Sequence, residues 1–358
     1  MNAIDKRPGE HLLHDLMPYV SFEEETGLLW LKDGSATKTF SLVPKNCMSY
    51  TDDDFEVMRS GLLSVLGLIP EGTLVQILLN RERTNESSDQ AFTNWKKTHS
   101  HEAVKEEGSA NQRLFEMKLN ELKKLWSDGF LHQTKIYMTL RVPPSVKIRT
   151  GKQLGAFSFI ASNRNHSTQL KTSQAIREET MAVYEALKSG LDALGFETDE
   201  AKKGDVMEII FRFLNPDRKI FLNLTESKNQ ALSENFCLSE LVESRSGLNL
   251  GRAKVKIGTL KTLPESSFPC LMSSLTVLGK PFSLVMTLLV LPQTEERERL
   301  SRKQRLAQGM ASGNTVRNLY AESQLQDVED TLSAMISSGD KLLATSFHVI
   351  TFEGADHE

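Results

Sequence analysis

Two glycine-lysine pairs, Gly151-Lys152 and Gly279-Lys280, are where this sequence comes nearest to a phosphate-binding loop. Such a loop ends in Gly-Lys-Ser or Gly-Lys-Thr, because backbone amides and the lysine hold the phosphates while the hydroxyl meets magnesium. The next residues here are Gln153 and Pro281, so neither pair fits. No apolar strand ends in the acidic pair that would hold magnesium from the other side. His11 and His14, and His99 and His101, are spaced closely enough to present two metal ligands. Both pairs lie in polar stretches without a third ligand nearby, which predicts solvated side chains. Asp52-Asp53-Asp54 lacks the spacing of a calcium loop and reads as acids at a helix start, where the helix dipole favours them. His348 sits in an apolar strand and reads as a satisfied core or face residue. No Ser/His/Asp or Cys/His set is identifiable, and no Gly-x-Ser-x-Gly elbow occurs. The sequence thus offers no catalytic, cofactor-binding or metal-ligating residue.

Composition narrows the classes further. The 358 residues carry a net charge of -4, which predicts no direct nucleic-acid binding, since dedicated binders carry a basic excess. Lys202-Lys203 and the bases from Arg297 to Arg305 are the local exceptions. The latter alternate with Glu295, Glu296 and Glu298, which neutralises the field and predicts a solvated helix face. Cys47, Cys237 and Cys270 are odd in number and far apart, so neither a disulfide framework nor a zinc site is indicated. A reducing compartment fits them. Met1 to Pro18 has no apolar core of a signal peptide. The longest apolar run, Phe282 to Leu291, is about half the ~20 residues a spanning helix needs, and it reads as a buried strand.

The elements that must carry any function follow from periodicity and punctuation. Gly27 to Leu31 and Thr37 to Val43 form a hairpin around Lys32-Asp33-Gly34, with Glu23-Glu24-Glu25 as a solvated turn before it. Thr51 or Asp52 caps a helix carrying Phe55, Met58, Leu62, Leu63 and Leu66, and Leu74 to Leu79 returns as a strand. A polar segment with Trp95, a helix through Leu114 to Leu125 and a strand from Gln133 to Val142 follow. A helix over Gln174 to Leu194 carries Ala182, Tyr184, Leu187 and Leu191 and ends at Gly195. Val206 to Leu214, Ala253 to Thr259, Phe282 to Leu291 and Leu342 to Phe352 read as strands. Between the last two, Thr294 starts a charged helix broken at Gly313. A second helix with Val316, Leu319, Leu325, Val328, Leu332 and Met335 completes a helical hairpin.

The predicted class is α+β, with mixed or antiparallel sheets, helices on one face and no P-loop core. The expected division is an N-terminal α+β domain over 1–145 and a linker-like segment over 146–170. A second α+β domain over 171–358 carries the hairpin at about 294–337.

Three stretches carry a family resemblance. They are Pro18-Tyr19 through the hairpin to Leu68-Ile69-Pro70-Glu71-Gly72, then Phe211-Arg212-Phe213-Leu214-Asn215-Pro216-Asp217-Arg218, and lastly the strand from Phe282, the helical hairpin and Phe347-His348-Val349-Ile350. Together they resemble the N-terminal region of TraC-type ATPases of type IV secretion and conjugative transfer systems (the CagE/TrbE/VirB family). The resemblance implies a motor subunit at the cytoplasmic face of the bacterial inner membrane. Its front half contacts inner-membrane and other secretion components and helps arrange a homo-oligomer. It also implies that ATP and magnesium belong to a RecA-like domain following this region, which marks the chain as the front part of a longer protein. The expected role is assembly and partner binding without ATP hydrolysis by this chain alone, and membrane association only through partners. The alternatives are a self-contained soluble enzyme, with a spatial site around Gly151 to Ser167, or a stand-alone adaptor.

Overall fold

A computed structural model describes residues 13–43, 45, 47, 49–83, 116–118, 120, 121, 124, 132–144, 166–218, 232, 236–244, 247–262, 275, 280–312 and 318–354. The elements are α1 (Leu13–Leu16), β1 (Tyr19–Glu23), β2 (Leu28–Leu31), β3 (Ala36–Val43), α2 (Asp52–Gly67), β4 (Leu74–Arg83) and β5 (His132–Val142). They continue with α3 (His166–Ala193), β6 (Glu197–Glu200), α4 (Lys203–Leu214), β7 (Leu241–Ser244), β8 (Gly247–Leu250) and β9 (Ala253–Thr259). The last four are β10 (Phe282–Val290), α5 (Gln293–Ser312), α6 (Leu319–Ser337) and β11 (Leu343–Glu353). The fold is α+β, as the sequence predicted.

One 11-stranded sheet runs in the order β1-β2-β3-β5-β4-β10-β11-β9-β8-β7, with β6 beside the second half of β3. Every pairing described is antiparallel. Hydrogen bonding therefore joins strands from both sides of the segment 146–170. β4 pairs with β10 from Leu74↔Leu289 to Arg81↔Phe282, and β3 pairs with β6 from Phe40↔Glu200 to Val43↔Glu197.

Local chemistry sets the early elements. In the β2–β3 turn, Gly34 takes φ 81°, which a side chain would resist. Asp33 accepts a 3.0 Å bond from the Ser35 amide, and the Arg141 guanidinium on β5 pairs with the same carboxylate. Burial pushes the Asp33 carboxyl upward, but the Ser35 and Arg141 contacts outweigh it and hold the group below its ordinary range. Thr51 caps α2: its amide donates to Asp54 Oδ2 at 2.8 Å and its hydroxyl accepts from the Asp54 amide at 3.4 Å. The aspartate run is thus a cap, as expected. Glu23 lies in β1 and pairs with Arg177, while Glu24 pairs with Lys203, so the acidic run is partly structural rather than a fully solvated turn.

Strand alternation gives the sheet two buried faces. On one, α2 and α3 cover Phe40, Val75, Met138, Leu140, Val142, Leu288 and Val290 with Val65, Ile69, Val183, Tyr184, Leu187 and Leu191. The two helices approach closely: a Cβ on Gly190 would lie 2.7 Å from a Val65 methyl. Lys38 is buried on this face with its charge satisfied. Its Nζ donates to the Thr26 carbonyl at 2.6 Å, pairs with Glu200 at 2.7 Å and lies 4.5 Å from the Tyr184 ring centre. On the other face, α4 packs Val206, Met207, Ile210, Phe211 and Leu214 against Leu29, Leu31, Leu250 and Val255.

Four expectations need correction. Val206 to Leu214 is a helix, not a strand. Its β-branched and aromatic run is ambiguous by type, but the buried positions 206, 207, 210, 211 and 214 form one helical face. Asp205 accepts from the Lys202 amide at 3.0 Å at its start. Helices consequently cover both faces of the sheet rather than one. α3 begins at His166, ahead of Gln174 and within the stretch predicted as linker-like. On α3 Val183, not Ala182, joins Tyr184, Leu187 and Leu191 in the buried stripe. Of the expected helix at Leu114–Leu125, residues 116–118, 120, 121 and 124 are described, and they are helical. Trp95 and the segment 151–165 lie outside the described residues.

Candidate partner-binding site

The stretch Phe211 to Arg218, which carries part of the family resemblance, folds into a knot at the end of α4. Asn215 is fully buried at 0% exposure, and its amide can make four good bonds. Nδ2 donates to the carbonyls of Phe211 at 2.9 Å and Phe236 at 2.7 Å. Oδ1 accepts from the Leu238 amide at 3.0 Å and the Ser239 hydroxyl at 3.1 Å. Asp217 continues the tie: its Oδ1 lies 3.1 Å from Ser239 Oγ, sharing that hydroxyl's one proton with Asn215 Oδ1, and its carboxylate accepts from the Arg252 amide at 3.3 Å in the β8–β9 turn. There Gly251, at φ 57°, leaves the room this carboxylate needs: a Cβ would lie 2.5 Å from it. Arg212 bridges Glu208 on its own helix and Glu82 on β4. The bonding capacity of the Asn215 side chain is filled, so its role is positioning: it fixes the 236–239 loop and, through Asp217, the β8–β9 end of the sheet.

At the other end, β10 and β11 are paired neighbours, with Val290 opposite Leu343, and the helical hairpin is their connection. Gln293 clamps its root: Nε2 donates to the carbonyls of Leu291 at 2.6 Å and Leu342 at 3.1 Å, and Oε1 accepts from the Leu342 amide at 2.8 Å. Lys341 donates to the Ile69 carbonyl just past α2 at 2.8 Å. From that root α5 and α6 pack on each other, and none of their buried residues joins the cores on the faces of the sheet. The seam of α6 is Ala321, Leu325, Val328, Leu332 and Met335, a 4-3-4-3 spacing typical of an antiparallel coiled coil. Opposite it α5 offers Leu300, Gln304, Ala307 and Ala311, and Gln304 donates to Glu329 across the seam at 3.1 Å. The sequence placed Leu319 in this stripe. Leu319 is 67% exposed and Ala321 takes the inner position. Val316 lies outside the described residues.

With the seam so narrow, large apolar side chains remain uncovered on the hairpin: Leu306, Met310, Leu319, Tyr320 and Ile336 are between 50% and 70% exposed. An apolar group left in water on an otherwise charged hairpin is a mark of a contact surface. This is the best candidate site in the described structure. The Arg297-to-Arg305 cluster lies along the same α5, where Arg299 pairs with Glu296 at 3.3 Å.

Among the described residues, the others singled out from sequence do not come together. His348 lies on β11 and shares a 3.0 Å bond between Nδ1 and the Thr259 hydroxyl. His11, His99, His101, Gly151, Gly279 and Cys270 lie outside the described residues. Cys47 and Cys237 are free thiols, and burial raises the Cys237 thiol to about 11. Among the described residues no group of three or more His, Cys, Asp or Glu is placed to hold a metal. No described helix is long and apolar enough to cross a membrane. Sequence reasoning missed the Asn215 knot because the signal for Asn-Pro is only a chain turn, whereas its partners lie about two dozen residues downstream.

The family model described as TraC protein matches residues 13–357. No curated protein matches the chain.

Proposed function

Since the chain belongs to the TraC family, and with it to the machinery of type IV secretion and conjugation, we propose that it is the assembly and partner-binding part of a secretion ATPase. In this reading it links the motor to inner-membrane components of the transfer apparatus at the cytoplasmic face of that membrane. It works there as part of a homo-oligomer. ATP and magnesium are bound by a RecA-like domain C-terminal to this region, and hydrolysis there is passed on as movement through the α+β body described here. The observation that carries the reading is the rooted helical hairpin, which spends its apolar side chains on solvent instead of on the sheet. That is how a surface is built for contact rather than for folding. The sequence also has no Gly-Lys-Ser or Gly-Lys-Thr turn, and a phosphate cradle without it lacks both the cation and the magnesium hydroxyl.

Calorimetric titration of residues 1–358 with magnesium-ATP is expected to give no saturable heat. Stoichiometric binding in the micromolar range would overturn the division of labour and return the chain to the enzyme class.

A further inference from the structure

We propose that Lys341 is a positioning residue that locks the helical hairpin in one direction relative to α2, so that the α2–α3 layer aims the hairpin's contact surface. The hairpin is attached to the sheet at two places. The chain enters it from β10 through Leu291-Pro292 and leaves it through residues 338–342 into β11. Neither α5 nor α6 makes extensive contact with a described element other than its partner helix. A rigid body held at two points can still rotate about the line that joins them, and element ends of this kind are where hinges form. The bonds of Gln293, and a 3.2 Å bond from the Leu291 amide to the Leu342 carbonyl, tie the two connections to each other. They hold the two points together and add none away from that line.

A third point removes the rotation, and Lys341 supplies it. Its Nζ donates to the Ile69 carbonyl at 2.8 Å, 272 positions away in the chain. The place suits a cation. α2 has no basic residue in its last turn, so its own sequence leaves the negative end of its dipole without one, and Lys341 brings a charge to that end. An ammonium donor also makes the bond charge-assisted, stronger than one between neutral groups. The accepting carbonyl is itself firmly held. Ile69 is 1% exposed in the core beneath α2. The turn that follows it is bonded to the end of β10 in both directions: the Gly72 amide donates to the Val290 carbonyl at 2.8 Å, and the Val290 amide to the Thr73 carbonyl at 3.0 Å. α2 is fixed to α3 in turn by the close approach of Val65 to Gly190. A shift of α2 and α3 over the sheet therefore carries the hairpin with it, and with the hairpin the exposed Leu306, Met310, Leu319 and Tyr320.

The test is a distance measurement by double electron–electron resonance, with spin labels on Arg59→Cys in α2 and Arg305→Cys in α5. Residues 1–358 are used with Cys47, Cys237 and Cys270 replaced by serine, diluted with unlabelled chain so that only distances within one chain are read. Both labelled positions are exposed and outside the joint. Arg305 lies roughly 18 Å along α5 from Gln293, so rotation at the root displaces it. With Lys341 in place, one narrow distance peak is expected. Lys341→Met keeps the apolar stem and removes the donor, and it should lose that peak to a broad distribution. Lys341→Arg keeps a donor and should retain the peak. Far-UV circular dichroism confirms that each variant is folded. A broad distribution with Lys341 in place, an unchanged peak in the methionine variant, or an arginine variant as broad as the methionine one would each overturn the assignment. The inference rests on reading the hairpin as a contact surface, but the distance is read without partner or nucleotide, so a failed lock leaves the family membership and the ATP titration untouched.

Discussion

Asn215→Asp and Asn215→Leu are expected to destabilise the fold by about 4 kcal/mol or more, since each broken bond deprives a buried polar group of a partner at about 1–3 kcal/mol. The amide satisfies two carbonyls and two donors in a site closed to water. Leucine removes all four bonds: the Phe211 carbonyl then keeps the residue-215 amide, the Ser239 hydroxyl keeps Asp217, and the Phe236 carbonyl and Leu238 amide keep each other. Aspartate is the more informative variant: it is isosteric, yet it puts an oxygen in place of Nδ2 against the carbonyls of Phe211 and Phe236, and it brings a charge into the core. Denaturant unfolding should show a lower midpoint with an unchanged slope, the sign of lost stability rather than altered compactness. A shift below about 1 kcal/mol would mean the knot does not hold the α4 side of the sheet.

Phe40→Ala should come next, at about 3–5 kcal/mol for a fully buried phenyl ring. Phe40 sits at 0% exposure on β3, edge-on to Tyr184 of α3 with ring centres 5.6 Å apart. Its loss opens a cavity beneath α2 and α3, on the face opposite α4. The two sites share no partner, so their effects should add in a double variant. The continuous ladder from β1 to β7 makes a further demand. Both substitutions must move one common transition when unfolding is followed by circular dichroism and by tryptophan fluorescence. Two separable transitions, each sensitive to one substitution, would show that the halves of the sheet unfold independently.

Much of the local structure was legible because the cause of each element lies within a few residues of it. Thr51 and the aspartates after it announce a helix start, Gly34 a hairpin turn, and the apolar run from Phe282 to Leu291 a buried strand. The helical hairpin follows from Thr294, Gly313 and the spacing of Leu325, Val328, Leu332 and Met335. What failed depended on distant partners. In Val206 to Leu214 the apolar run is nearly continuous, and the local helix signal is confined to Asp205 at its start and to Glu208 and Arg212 four residues apart; the buried helical face is taken up by Leu29, Leu31, Leu250 and Val255 on the sheet. That packing places a helix on the second face. Ala321, not Leu319, takes the inner position because it continues the 4-3-4-3 spacing of Leu325, Val328, Leu332 and Met335, while α5 offers alanines at 307 and 311. The site itself was legible only as an amphipathic helix. Its exposed flank becomes apparent once the seam is known.

Transfer frequency in a cell that carries the apparatus and lacks this chain's gene tests the secretion role most directly. The account predicts that DNA or protein transfer is lost in the deletion strain and restored by the intact gene. It should not be restored when the gene carries Leu306→Glu and Met310→Glu, with the protein present at its normal level. Unimpaired transfer without the gene would contradict the role itself, and full restoration by the hairpin variant would contradict its assignment to this surface.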